Sequence, residues 1–217
     1  INASALDNGL HAGDLKFVDF DGNNNIEQTT SANDRKDMKV IGNSLPRYNY
    51  NFGISADWYG IDFSVLFQGI GKQNWYPGAE TSMFWGPYSR PYASFIPSDF
   101  MSQVWSEENT NAYFPRPRGY VALGSNRELA VVNTKYLQNL AYCRLKNLSI
   151  GYTLPDKWLS KIGFEKIRVY FSGENLLTFT KLHSDYIDPE QASASNSWKT
   201  SKSDANIYPW AKTYSFG

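Results

Sequence analysis

Two stretches of the sequence concentrate oxygen donors. In the first, Asp19-x-Asp21-Gly22-Asn23-x-Asn25 places carboxylate and amide oxygens at alternate positions on a turn-forming segment. A hard cation such as Ca2+ takes that kind of donor set. In a calcium loop of the EF type an acidic residue at the twelfth position completes the shell; here that position is Thr30, and Asp34 follows later. The sixth position, normally Gly, is Asn24. The same residues equally suit an Asx-rich turn whose side chains bond their own backbone. Asp19, Asp21, Asn23, Asn25 and Asp34 are thus candidate cation ligands. Ca2+ is the one cofactor the sequence suggests.

The second stretch holds Asp185, Asp188 and Glu190. Two carboxylates form a glycosidase pair only at a fixed separation, with one buried to raise its pKa, and nothing in the sequence fixes either. His183, Ser184 and Asp185 are chain neighbours, whereas a nucleophilic triad assembles in space. Gly69-Ile70-Gly71 lacks the rest of a nucleotide-binding fingerprint. Cys143 is the single cysteine, which suits a small apolar side chain facing lipid or packing. No residue receives a catalytic role.

A different chemistry is offered by Trp75, Tyr76, Trp85, Tyr88 and Tyr92, five rings in one Gly- and Pro-rich stretch. Flat apolar faces with polar rims can stack on sugar rings, or they can pin a long loop by packing. Asn109, Asn111 and Arg116 are the nearby polar candidates for ligand binding, with bonding inside the loop as their alternative.

Composition narrows the class. Lys plus Arg equals Asp plus Glu at 21 each, so no net field draws nucleic acid. Aromatics reach 16% while the mean hydropathy is negative. No apolar run approaches the roughly 20 residues of a membrane-spanning helix. A transmembrane β-barrel, with alternating lipid- and lumen-facing residues, fits these facts. So does a soluble glycan-binding sandwich. The chain begins at Ile1 without Met, which suggests a piece of something longer.

The elements are strands. Residues 47–58 alternate strictly, with Tyr48, Tyr50, Phe52, Ile54, Ala56 and Trp58 on one face. A short turn at 58–60 leads to 61–71, making a long hairpin. A third strand is expected at 142–154, with a bulge near Lys146-Asn147 because Leu145 is out of phase. A helical turn at 155–163 has Pro155 first and Gly163 last, and a fourth strand covers 165–179. Another helical turn is expected at 98–105, with Ser98 as N-cap. The divisions are 1–45 loop, 46–71 hairpin, 72–134 long loop, 135–179 two strands, 180–208 polar loop and 209–217 start of a last strand. Short and long connections alternate, as periplasmic turns and external loops do in outer-membrane barrels.

In chain order, GDLKFVDFDGNNNI, NSLPRYNYNFGISADWYGIDFSVLFQGIGKQNWY, FWGPYSRPY, NTNAYFPR, YLQNLAYCRLKNLSIGYTLP, IRVYFSGENLLTFTKL and YPWAKTYSFG resemble the C-terminal region of the SusC/RagA family of TonB-dependent outer-membrane transporters. The resemblance implies an all-β chain of about five antiparallel strands, part of a large plugged barrel, located in the outer membrane. It further implies import of oligosaccharide or peptide with a SusD-like surface lipoprotein. TonB would be engaged through a region N-terminal to Ile1.

Overall fold

The structure is a computed structural model describing residues 11–29, 31, 33–89, 96–118, 122–124, 128–161, 163–196, 202–203 and 208–217. In chain order the strands are β1 (Arg47–Trp58), β2 (Ile61–Lys72), β3 (Asn74–Pro77), β4 (Gln138–Asn139), β5 (Tyr142–Thr153), β6 (Arg168–Thr180), β7 (Lys202–Ser203) and β8 (Thr213–Phe216). The short helices are α1 (Ser82–Trp85), α2 (Asp156–Leu159) and α3 (Pro189–Asn196). The chain divides into a sheet unit (44–74, 139–197, 207–217) and a loop unit (1–43, 75–138, 198–206).

The sheet unit is an open sheet in the order β1-β2-β5-β6-β8, antiparallel at every pairing. The β1–β2 turn is tight because Tyr59 and Gly60 both take positive φ, at 46° and 85°. That is the geometry a two-residue hairpin with right-handed strand twist requires.

Pairing register turns sequence alternation into two faces. On one face Ala56, Phe63, Ile150, Phe171 and Phe216 align across all five strands. Phe52, Phe67, Leu145 and Leu177 make a second apolar row, in which the Phe52 and Phe67 rings stack at 4.9 Å. The opposite face is polar, and Ser55, Ser64, Ser149, Ser172 and Ser215 form one row across it.

The expected bulge is present: Leu66 faces Asn147 while Phe67 faces Leu145, leaving Lys146 as the extra residue. That insertion returns Leu145 to the apolar face. It also sets Cys143 between Gly69 and Phe179 in an apolar row.

The apolar face is exposed. Ile54 is 59% accessible and Phe179 60%. A sandwich would cover that face with a second sheet about 10 Å away, whereas a barrel wall presents it to lipid. Among the described residues no helix is long and apolar enough to cross a membrane, a fact that does not bear on strands.

Several local expectations need correction. The turn at 98–105 is a 3-10 segment, Phe100–Gln103, preceded by Asp99 rather than capped by Ser98. Pro155 is extended and stands before the first residue of α2 instead of within it. The fourth strand begins at Arg168, not 165. The polar loop at 180–208 contains α3, which had not been expected. Asp188 Oδ1 accepts the N–H groups of Glu190 (2.9 Å) and Gln191 (3.2 Å), and Pro189 follows at a position where no N–H is needed. Buried Ile187 and Ala192 anchor it.

Candidate functional site

Three arrangements bear on function, and each lies within one unit. The first is the core of the loop unit. Trp75, Tyr76, Trp85 and Tyr88, expected as stacking residues, are all buried, Trp85 completely at 0% exposure. Tyr92 lies outside the described residues. Phe114, which the sequence reading missed, sits at the centre. Its ring lies 5.7 Å from Phe84, 5.9 Å from Tyr88, 4.8 Å from Phe100 and 5.9 Å from Tyr136. The rings therefore cover one another's faces, which is the packing alternative.

Their polar tips serve the irregular backbone, whose buried carbonyls need donors. Trp85 Nε1 donates to the Gly78 carbonyl at 3.0 Å, Tyr76 to Leu129 at 2.7 Å, Tyr88 to Pro115 at 2.5 Å and Tyr136 to Tyr113 at 3.1 Å. Burial pushes the phenols of Tyr76, Tyr88 and Tyr136 well above the usual range, so all three remain donors.

Beside this core stands a buried ion cluster. Asp14 receives Arg116 Nε at 2.7 Å and Arg118 Nε at 3.0 Å, with a further bond from Arg118 Nη2. The backbone N–H of His11 adds a bond at 2.8 Å. Burial alone would raise the Asp14 pKa, but the bonds from Arg118, the His11 N–H and Arg116 outweigh it and bring it down to about 2. Arg118 Nε also lies 3.1 Å from Glu128 Oε1; burial pushes the Glu128 carboxyl up, against the opposing pull of Arg118. Arg116 is thereby a structural partner of Asp14. Asn109 is likewise bonded within its loop, its Nδ2 to the Ser102 carbonyl at 2.8 Å. Asn111 is exposed.

The second arrangement is the oxygen-rich turn. Asp19 accepts the N–H groups of Gly22 (2.7 Å) and Asn24 (2.8 Å), and Asn24 takes φ 62°. Asn25 N–H reaches Asn23 Oδ1 at 2.7 Å. The carboxylate that joins Asp19 and Asp21 is Asp37, not Asp34, with oxygens of all three within 4.8 Å of one another. Asp37 also accepts from the N–H groups of Phe20 (2.6 Å) and Glu27 (2.8 Å), bonds that lower its pKa. Asp34 instead lies 3.6 Å from Lys36 Nζ. Asp37 thus stands at the turn where the spacing had pointed to Asp34. Each Asp is already engaged by backbone N–H groups, as an Asx-type turn requires.

The third arrangement is on the polar face of the sheet. Asp188 and Glu190 do not form a catalytic pair: Arg144 Nη2 binds Asp188 at 2.6 Å and Nη1 binds Glu190 at 2.8 Å, while Lys146 lies 2.9 Å from Glu190. Thr178 Oγ1 takes Arg144 Nε at 3.0 Å. The network ties α3 to β5 and β6 and leaves neither carboxylate aimed at a ligand. Along β1 and β2 the polar face carries Asn49, Asn51 and Gln68 beside Ile70. These residues, with Pro46, Tyr50, Gly69 and Tyr142, line a groove of about 710 Å3.

An open antiparallel sheet of long strands, apolar on one face and polar on the other, has the form of a section of outer-membrane barrel wall. No protein-family model matches the chain. TonB-dependent receptor P3 of Formosa agariphila is 31% identical over 207 residues, covering 93% of this chain and 18% of that receptor. TonB-dependent receptor P26 of the same organism is 27% identical over 192 residues, or 88% and 17%. Among solved structures, the RagAB peptide importer in its closed-closed state matches with a TM-score of 0.55 and 24% identity, covering 91% of this chain and 19% of that one. Its open-open state gives 0.54 and 22%, covering 87% and 18%.

The chain spans about a fifth of the length of the relatives it matches. It corresponds to a segment of a TonB-dependent receptor and shares the fold of the matching part of RagAB. Such proteins reside in the outer membrane and are not enzymes.

Proposed function

We propose that this chain is the wall-and-loop segment of a nutrient importer, which takes up oligosaccharide or peptide together with a SusD-like surface lipoprotein. The observation that carries the reading is the continuous apolar face of the five strands, exposed opposite a polar face. The strands supply lipid-facing wall, and the loop unit supplies a rigid external body. The aromatic loop serves that body by packing, with Asn111 as its exposed polar candidate for ligand or partner contact. TonB acts through a part of the receptor outside this chain. A hard cation such as Ca2+ at Asp19, Asp21 and Asp37 is a separate proposal, tested by calcium titration of the intact receptor.

The decisive experiment is the intact mass of the native polypeptide with its partition between detergent and water. A mass several times 24.7 kDa with strict detergent dependence is expected. Co-purification with a surface lipoprotein, and loss of growth on one polymeric nutrient when the gene is deleted, complete the expectation. A monomer that stays soluble in plain buffer overturns it in favour of a glycan-binding sandwich.

A further inference from the structure

The outer ends of β1 and β2 carry an arrangement that the wall itself does not need. Arg47 and Lys72 are directly opposed in the register, and like charges across a strand pair destabilise it. No ion pair involves either among the described residues. On the same polar face, two residues further along each strand, stand Asn49 and Ile70, and beyond them Asn51 and Gln68. All three amides are exposed, and none bonds another described residue. They line the 710 Å3 groove with Tyr142. The neighbouring cation, Arg144, is consumed by Asp188, Glu190 and Thr178, so the groove floor is uncharged.

We propose that this track binds the main chain of an extended oligopeptide, with a carboxylate held between Arg47 and Lys72. Each Asn or Gln amide offers a donor and an acceptor side by side, the complement of a peptide group. Asn49 and Asn51 are spaced by two strand residues, about 6.8 Å, which is also the two-residue repeat of an extended peptide. An anion between Arg47 and Lys72 turns their repulsion into a shared attraction. Recognition through main chain and terminus is independent of side-chain sequence. The proposal rests on the barrel reading, in which this face looks into the lumen.

The test is isothermal titration of the intact receptor in detergent with three probes: a glycine–serine hexapeptide with a free C-terminal carboxylate, its carboxamide, and neutral maltohexaose. The free acid is expected to bind, and the carboxamide about tenfold more weakly, the loss of one charge-assisted bond. Arg47→Gln with Lys72→Gln should bring the acid down to the carboxamide's affinity. Asn51→Leu with Gln68→Leu should weaken both peptides alike. Heat-modifiable migration on a denaturing gel verifies that each variant is a folded barrel, and Lys72→Gln alone serves where the double variant is not. Equal binding of acid and carboxamide, preferential binding of maltohexaose, or no peptide binding at millimolar concentration overturns the proposal. A receptor soluble without detergent would instead overturn the barrel reading.

Discussion

The sheet unit and the loop unit use the same residues in opposite ways. In the sheet unit Phe52, Trp58, Phe179 and Phe216 are exposed; in the loop unit Trp75, Trp85, Tyr88 and Phe114 are buried. The wall satisfies its backbone by strand pairing and is free to turn its rings outward to lipid. The loop unit has little pairing of its own, so its rings turn inward and their O–H and N–H tips cap stray carbonyls. What decides the fate of an aromatic ring here is whether the backbone beside it already has partners.

The contrast can be broken most forcefully at Trp85. Trp85→Ala removes a fully buried ring and a donor to the 77–78 carbonyls, and is expected to cost the loop unit about 3–5 kcal/mol. Hydrogen exchange on the intact receptor should show lost protection at 75–138 with β1 and β2 unchanged. A uniform loss through both units would show that they are not separable.

Next in size is a charge on the apolar face. Ile54→Arg should cost about 2–4 kcal/mol if the residue lies near the bilayer midplane, while Ser55→Arg, one residue away on the polar face, should cost far less. Urea titration of folding into phospholipid vesicles measures both. Equal costs would refute the assignment of faces.

Acid sharpens the comparison on the loop side. The Asp14 carboxyl titrates at about 2 when folded and near 3.9 when unfolded. A depressed carboxylate pKa contributes stability above the unfolded value and loses it as pH falls through the folded one. Loop protection should therefore decline between about pH 4 and pH 2. Glu128, whose folded pKa is raised by burial, acts in the opposite sense, gaining stability as pH falls. Asp14→Asn should shrink the acid step and leave the part that Asp37, also held low by its N–H bonds, contributes. The smallest effect belongs to Asp37→Asn, which should speed proteolysis at 18–29 and leave the wall intact. Added calcium should slow that cleavage in the parent protein only if the turn holds the ion.

The strands were legible because their alternation is long and strict, and even the Lys146 insertion showed as a phase error at Leu145. The loop core was less legible. Ring density announced an aromatic cluster at 75–88, but Phe114 as its centre depends on contacts some thirty residues apart in the chain. Asp37 was missed for the same reason: spacing pointed to Asp34, yet the chain folds back to offer Asp37. α3 did carry a readable signal, Asp188 followed by Pro189, hidden by the low-complexity run after it.

The row of five serines has a consequence for the bore. Their side chains end one atom past Cβ, and Ser55 and Ser64 hold each other at 3.2 Å instead of reaching inward. On one side of the row stand Asp57 and Asp62, with Arg168 Nε 2.8 Å from Asp62. On the other, beyond Leu66 and Asn147, stand Gln68 and Arg144. In a closed barrel the wall would therefore be thinnest along a neutral belt between two bulkier collars, and a body filling the lumen would meet its widest and least adhesive clearance there.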